Sequence, residues 1–216
     1  MSENLDAALT WAGEQPTPGS FVDLGAYHGS PEAIALVGAG WRGIFVDAAP
    51  DAAAVLGKLE TRGLATVFCG AVTASGRKLL PCNWTPDRPY TGVDRAAAAS
   101  DIPVRQIAVP GLHPSELVEL WPELPQPRFL ICDTGPGSLE LAELLCDWVP
   151  IDALRLTVPG SEAGAAAQWL TGWHGLAANE LADGTVSFTA RRPTAAQTIF
   201  GQPDDGPHPP SSSVPV

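Results

Sequence analysis

Short apolar runs alternate along this chain with longer stretches in which apolar residues recur three and four positions apart. That alternation predicts β-strands joined by amphipathic helices, the order of a mostly parallel α/β sheet. The first helix is expected over Glu3 to Ala12, where Leu5, Ala8, Leu9 and Ala12 share a face, and the cluster Pro16, Pro18 and Gly19 breaks it. A strand then runs from Phe21 to Leu24. Gly25 and Gly29 turn the backbone into a helix that starts near Ser30 with Pro31 and Glu32 in its first turn and stops around Gly38 and Gly40. A second strand, Gly43 to Val46, closes on Asp47. A helix follows Pro50 and extends to Gly63, and a third strand covers Ala65 to Cys69.

From Gly70 to Pro127 this rhythm breaks. The stretch reads as an insertion with strand-like pieces near Lys78 to Leu80 and Val104 to Val109 and a short helix over His113 to Leu120. The pattern resumes with a strand at Arg128 to Asp133, a glycine turn and a helix from Ser138 to Trp148. A strand at Ala153 to Val158 and an alanine-rich helix come next, the helix capped by Ser161 with Glu162 behind it and ending near Gly172. His174 to Leu181 and Thr185 to Arg191, separated by Ala-Asp-Gly, predict a final antiparallel hairpin. One domain over residues 1–202 is expected, with an insertion at about 70–127. Residues 203–216 have little to bury and are expected to form a disordered tail.

The stretch FVDLGAYHGSPEAIALVGAGWRGIFVDAAP carries the most chemistry. Strand, glycine turn, helix, strand and terminal acid form a nucleoside-binding order, in which an acid about 20 residues beyond the turn accepts ribose hydroxyls. Asp47 holds that place. Its alternative role is to cap the helix after Pro50. The turn DLGAYHG lacks the Gly-x-Gly-x-x-Gly spacing that brings a pyrophosphate onto a helix, which argues against a nicotinamide dehydrogenase.

Composition narrows the partners. A net charge of -12, from 12 basic and 24 acidic residues, predicts a protein without a nucleic-acid or membrane partner. The four cysteines have no Cys-x-x-Cys pair, and the histidines and carboxylates show no ligand spacing, so no metal is expected. The first 15 residues lack the charged and apolar regions of a signal peptide, and a cytoplasmic setting is expected.

The succession FVDLGAYHGS, GWRGIFVDAAP, TVFCGAVTASGRKLL and FLICDTGPGSLELAELL, in this order over Phe21 to Trp148, resembles S-adenosylmethionine-dependent methyltransferases of the FkbM type. The resemblance implies a Rossmann-like seven-stranded methyltransferase fold, a mostly parallel sheet with a C-terminal antiparallel hairpin. It implies S-adenosyl-L-methionine as cofactor. Asp23, Gly25 and Gly29 would form the cofactor turn, with Ser30 at the helix start, Asp47 on the ribose, and Gly70 and Ala71 along the adenine edge.

Asp133 matches the fourth-strand aspartate of the family and is the first candidate for removing a proton from a hydroxyl acceptor. His28, on the cofactor turn, is the second. A capping or turn role is the alternative for Asp133. Tyr27, Trp84, Tyr90 and His113 are candidates for contact with the acceptor, the aromatic ones as walls and His113 by reaching over the site. The expected activity is O-methyl transfer to a small molecule or glycan. Three departures stand out: Tyr27 and His28 replace a polar Asn-Asp pair, Ala48 and Ala49 replace Pro-Asn, and Thr134 to Ser138 lacks both family glutamates. The last of these motivates an alternative, a methyltransferase-like binding or assembly module without catalysis.

Overall fold

A computed structural model describes residues 3–60, 63, 65–73, 79–84, 105–120 and 125–192. Its central parallel strands form where short apolar runs lie between glycine- or proline-bearing turns. The strands are β1 (Ser20–Leu24), β2 (Arg42–Asp47), β3 (Ala65–Cys69), β4 (Ala71–Val72), β5 (Leu79–Trp84), β6 (Arg105–Leu112), β7 (Arg128–Cys132), β8 (Ala153–Pro159), β9 (His174–Glu180) and β10 (Thr185–Arg191). The helices are α1 (Glu3–Gly13), α2 (Pro31–Gly38), α3 (Pro50–Glu60), α4 (Pro114–Leu120), α5 (Ser138–Trp148) and α6 (Ala163–Trp169).

Seven strands form one sheet in the order β3-β2-β1-β7-β8-β10-β9. β1 pairs in parallel with both β2 and β7, β2 with β3, and β7 with β8, while β10 runs antiparallel between β8 and β9. β1 and β7 are buried along their whole length, as central parallel strands covered on both faces must be. One face carries Val22, Leu24, Ile44, Leu130, Leu154 and Phe188. The other carries Phe21, Phe45, Phe129 and Ile131, sealed by Ala8 and Trp11 of α1 and by Ala33 and Leu36 of α2. β4, β6 and β5 make a separate small sheet. Its buried Leu80, Cys82 and Val109 have Ala48, beyond the end of β2, packed against them.

The local signals explain most boundaries. Ser30 is the N-cap of α2: its Oγ accepts from the Ala33 amide at 3.2 Å, and Pro31 follows. The β9–β10 turn is fixed by Asp183 Oδ1, which accepts from the Thr185 amide at 3.0 Å and the Thr185 hydroxyl at 2.7 Å. The alanine-rich helix departs from expectation. It is split into a 3-10 turn at Gly160–Glu162, the α-helix Ala163–Trp169 and a second 3-10 turn at Leu170–Gly172, and neither Ser161 nor Glu162 caps it with its side chain. With seven residues, α6 depends on burying Ala166, and the turn after it on burying Leu170, rather than on capping. Among the described residues, no helix is long and apolar enough to cross a membrane.

Candidate functional site

The chain leaves β1 toward β2 and β3 on one side and later fills β7 and β8 on the other, so the strand order reverses between β1 and β7. Ligands of open α/β sheets bind beyond the carboxyl ends of the strands at such a point. Leu24 and Cys132 end the two strands there, and the turns beyond them touch. The Asp133 amide donates to Leu24 O at 2.9 Å. Gly25 has φ +76°, and a Cβ on it would lie 2.0 Å from the Asp133 carbonyl oxygen. Glycine is required here by a close approach of backbone as well as by its own dihedral.

Two acids hold the turn after β1. Asp23 is 1% exposed; its Oδ2 accepts from the Ser30 amide at 3.1 Å, while Oδ1 is buried without a hydrogen-bond partner. Burial pushes this carboxyl up to about 7, with Glu32 adding to the rise and the Ser30 bonds and Arg155 opposing it. Asp47 uses both oxygens on backbone: Oδ2 accepts from the Tyr27 amide and Oδ1 from the Ala49 amide, each at 2.7 Å. Burial raises this carboxyl too, and those two amides oppose the rise. Asp47 therefore ties the end of β2 to the β1 turn and shapes the start of α3. Each of its oxygens retains a second lone pair, the acceptor count a ribose diol needs.

Tyr27 is held by that bond in the left-handed region, at φ 46°, which a non-glycine residue enters at a cost of roughly 1–3 kcal/mol. Its ring stacks on His28 at 3.9 Å and 18°, with His28 exposed. Gly29 is also left-handed, at φ +93°. Gly70 and Ala71 follow β3 directly. The Gly70 amide donates to Asp47 O at 2.8 Å, and Ala71 pairs with Gly111 of β6, so this edge is continuous with the small sheet.

Asp133 is half-buried, and its Oδ2 lies 3.3 Å from an Arg155 nitrogen. It caps nothing: Gly137 is the N-cap of α5, without a side-chain bond, and the Thr134 amide turns instead to Ser138 Oγ at 2.9 Å. The capping alternative for Asp133 is thereby corrected. Burial raises its carboxyl, Arg155 and Thr157 lower it, and Asp183 and Glu32 add to the rise.

The remaining candidates are held by the small sheet and by α4. Trp84 Nε1 donates to Asp51 Oδ1 at 3.1 Å, fastening the small sheet to the first turn of α3. His113 is committed to α4, where its Nδ1 accepts from the Ser115 amide at 3.2 Å and its own amide donates to Glu116 Oε2 at 2.7 Å. Its ring lies 5.9 Å from that of Trp148, the last residue of α5, about 15 Å along the helix from Ser138 beside Asp133. Tyr90 lies outside the described residues. A cleft of about 260 Å³ beneath α1, lined by Trp11, Phe129, Ala153 and Arg191, is at the opposite end of the sheet, since Ala153 opens β8 and Arg191 ends antiparallel β10.

Sequence reading missed Glu32 and Arg155. Arg155 NH1 meets Glu32 Oε2 at 2.8 Å, and its side chain and that of Glu32 are 13% and 3% exposed. The available signal was an arginine in the middle of the apolar run ALRLTVP and an aspartate inside FVDL.

Compared by sequence, the chain matches no family model and no curated protein. Compared by structure, it is similar to a chain of a fibrillarin/Nop5p complex, at 9% identity over 86% of this chain and 79% of the other, with a TM-score of 0.50. It is also similar to an rRNA methylase from Streptococcus thermophilus, at 10% identity, 89% and 98% coverage and TM-score 0.46. A SAM-dependent methyltransferase from Agrobacterium tumefaciens matches at 11% identity, 88% and 61% coverage and TM-score 0.48. The fold is the Rossmann-like seven-stranded methyltransferase fold, mostly parallel with antiparallel strands at its C-terminal side. One expectation is corrected here. A net charge of -12 predicts no nucleic-acid partner, yet the similar structure at TM-score 0.50 is a chain of the fibrillarin/Nop5p complex. Charge summed over a whole chain does not fix the field at one edge of it.

Proposed function

We propose that this protein binds S-adenosyl-L-methionine at the carboxyl edge of β1, β2 and β3 and transfers its methyl group to a hydroxyl held near Asp133. The observation that carries the reading is the paired use of Asp23 and Asp47. Two acids at adjacent strand ends fix the β1 turn from both sides, and neither belongs to a phosphate-binding arrangement. The FkbM-type resemblance of the strand-end motifs supports the same cofactor. Asp47 would hold the ribose, Asp23, Gly25, Gly29 and Ser30 the turn beneath the methionine part, and Gly70 with Ala71 the adenine edge.

The cofactor supplies a methyl group on a sulfonium, so the protein's own work is to align the acceptor and take its proton. We assign that role to Asp133. A carboxylate raised by burial accepts a proton more readily than one in water, and this one is only partly covered. The stacked Tyr27–His28 pair would offer the acceptor an aromatic wall. The acceptor panel therefore includes RNA beside small molecules and glycans.

Calorimetric titration of the full chain tests the reading. Both S-adenosylmethionine and S-adenosylhomocysteine should bind, and Asp47→Ala should weaken binding by about 1 to 3 kcal/mol, the cost of stripping partners from polar groups. No binding of either compound sinks the proposal. Binding without transfer to any acceptor of the panel favours the binding-module alternative, for which the missing acids between Thr134 and Ser138 are the motive.

A further inference from the structure

On the sheet face that α2 covers, a polar strip interrupts the apolar rows. Asp23 and Arg155 lie in one register row, each opposite Ile131, and so stand about 10 Å apart across two strand spacings. Thr157 and Ser187, paired across β8 and β10, continue the strip. Arg155 sits at its centre with four partners. NH1 donates to Glu32 Oε2 at 2.8 Å, Nε to Ser187 Oγ at 3.3 Å, and NH2 to Asp133 Oδ2 at 3.3 Å and Thr157 Oγ1 at 3.5 Å.

The two ion pairs are unequal. Glu32 is buried in the first turn of α2, and a buried carboxylate without its cation is strongly unfavourable, so the Glu32 pair is the anchor. Asp133 is the longer and more exposed partner, its side chain 41% exposed. The guanidinium is planar with a fixed fork of donors, so anchoring one edge sets where the other N–H groups point. The anchor is on the helix that follows the cofactor turn, and the free end reaches the strand end on the acceptor side.

We propose that Arg155 is a positioning residue, locked by Glu32 and Ser187, that holds the Asp133 carboxylate at the carboxyl end of β7 and sets its charge. Its catalytic meaning rests on the proposed role of Asp133 in proton removal. The electrostatic link is a property of the chain alone. The charged groups acting on Asp133 are Arg155 from β8, Glu32 from α2 and Asp183 from the β9–β10 turn.

The test is a pH titration of the carboxyl carbons in the full chain labelled at aspartate Cγ, followed by carbon NMR, with Asp133 assigned from the signal lost in Asp133→Asn. Arg155→Gln should raise the Asp133 midpoint by about 1 pH unit or more, because an opposite charge at this range has been removed. Glu32→Gln should lower it, since a negative charge goes and the guanidinium is left to Asp133. Arg155→Lys should restore a midpoint below that of Arg155→Gln. Opposite signs for the two neutralising variants distinguish a specific link from general loosening, which would move both the same way. An unmoved midpoint in folded Arg155→Gln overturns the proposal, as does a shift of the same sign in both. Should Arg155→Gln fail to fold, Glu32→Gln decides, and a midpoint that does not fall overturns it. No cofactor enters the titration, so a failure to bind S-adenosylmethionine would sink the methyltransferase reading and leave this link standing.

Discussion

The turns after β1 and β7 both contain left-handed glycines at the same sheet edge, but they are held differently. The first is tied from outside itself: Gly25 and Ala26 donate to Val46 O at 3.0 and 3.2 Å, Tyr27 to Asp47, and Ser30 to Asp23. The second, beyond the strand-end contact of Asp133 with Leu24, closes on itself, through Thr134 to Ser138 Oγ and the Ser138 amide to Gly135 O at 3.1 Å. A Cβ on Gly25 meets backbone at 2.0 Å, whereas a Cβ on Gly135 or Gly137 meets nothing within 4 Å. The first turn is a fixed cradle with one permitted shape. The second is a local loop held by its own bonds, with open space around its two glycines.

The comparison breaks most directly at Gly25. Gly25→Ala must push the β1 and β7 turns apart and adopt a left-handed dihedral, and a loss of about 4 to 5 kcal/mol in urea unfolding is expected. A loss below about 1 kcal/mol would show that the two turns do not depend on each other. Asp23 gives the next effect. Its carboxyl titrates near 3.8 when unfolded and at about 7 when folded, so between those values the folded chain holds a proton that the unfolded chain has released. Stability contributed by the protonated group is complete below the lower value and is lost as pH rises through the upper one. Unfolding free energy should therefore fall by about 2 to 3 kcal/mol from about pH 5 to about pH 8, and Asp23→Asn should flatten that slope. An identical slope in the variant would remove Asp23 as its source.

The same contrast explains what was legible in the sequence. Strand positions follow from continuous apolar runs, and β3 and α5 fall at the boundaries expected from them. Gly25 and Gly29 were visible as turn glycines because dihedral demand is local. The contact that makes Gly25 indispensable, with Asp133, is 108 positions away and depends on β1 lying beside β7. The pairing of Arg155 with Glu32, 123 positions away, is illegible for the same reason: a cation inside a strand and an acid in a helix turn become a pair only once the register is set. The two 3-10 turns flanking α6, Gly160–Glu162 and Leu170–Gly172, carry no apolar periodicity of their own and read as ends of one helix.

Gly135→Ala is the smallest of these effects and the sharpest control on the comparison. Gly135 has φ +75°, nearly that of Gly25, so the dihedral cost of adding a methyl group is similar at the two sites, about 1 to 2 kcal/mol. Open space around Gly135 means that no contact cost is added. The expected loss in urea unfolding is therefore that dihedral cost alone, with cofactor affinity unchanged, since no bond of the β1 turn runs through residue 135. Were Gly135→Ala to destabilise the chain as much as Gly25→Ala, the difference between the turns would reduce to backbone dihedrals, and the contact of Gly25 with the Asp133 carbonyl would carry no energy of its own.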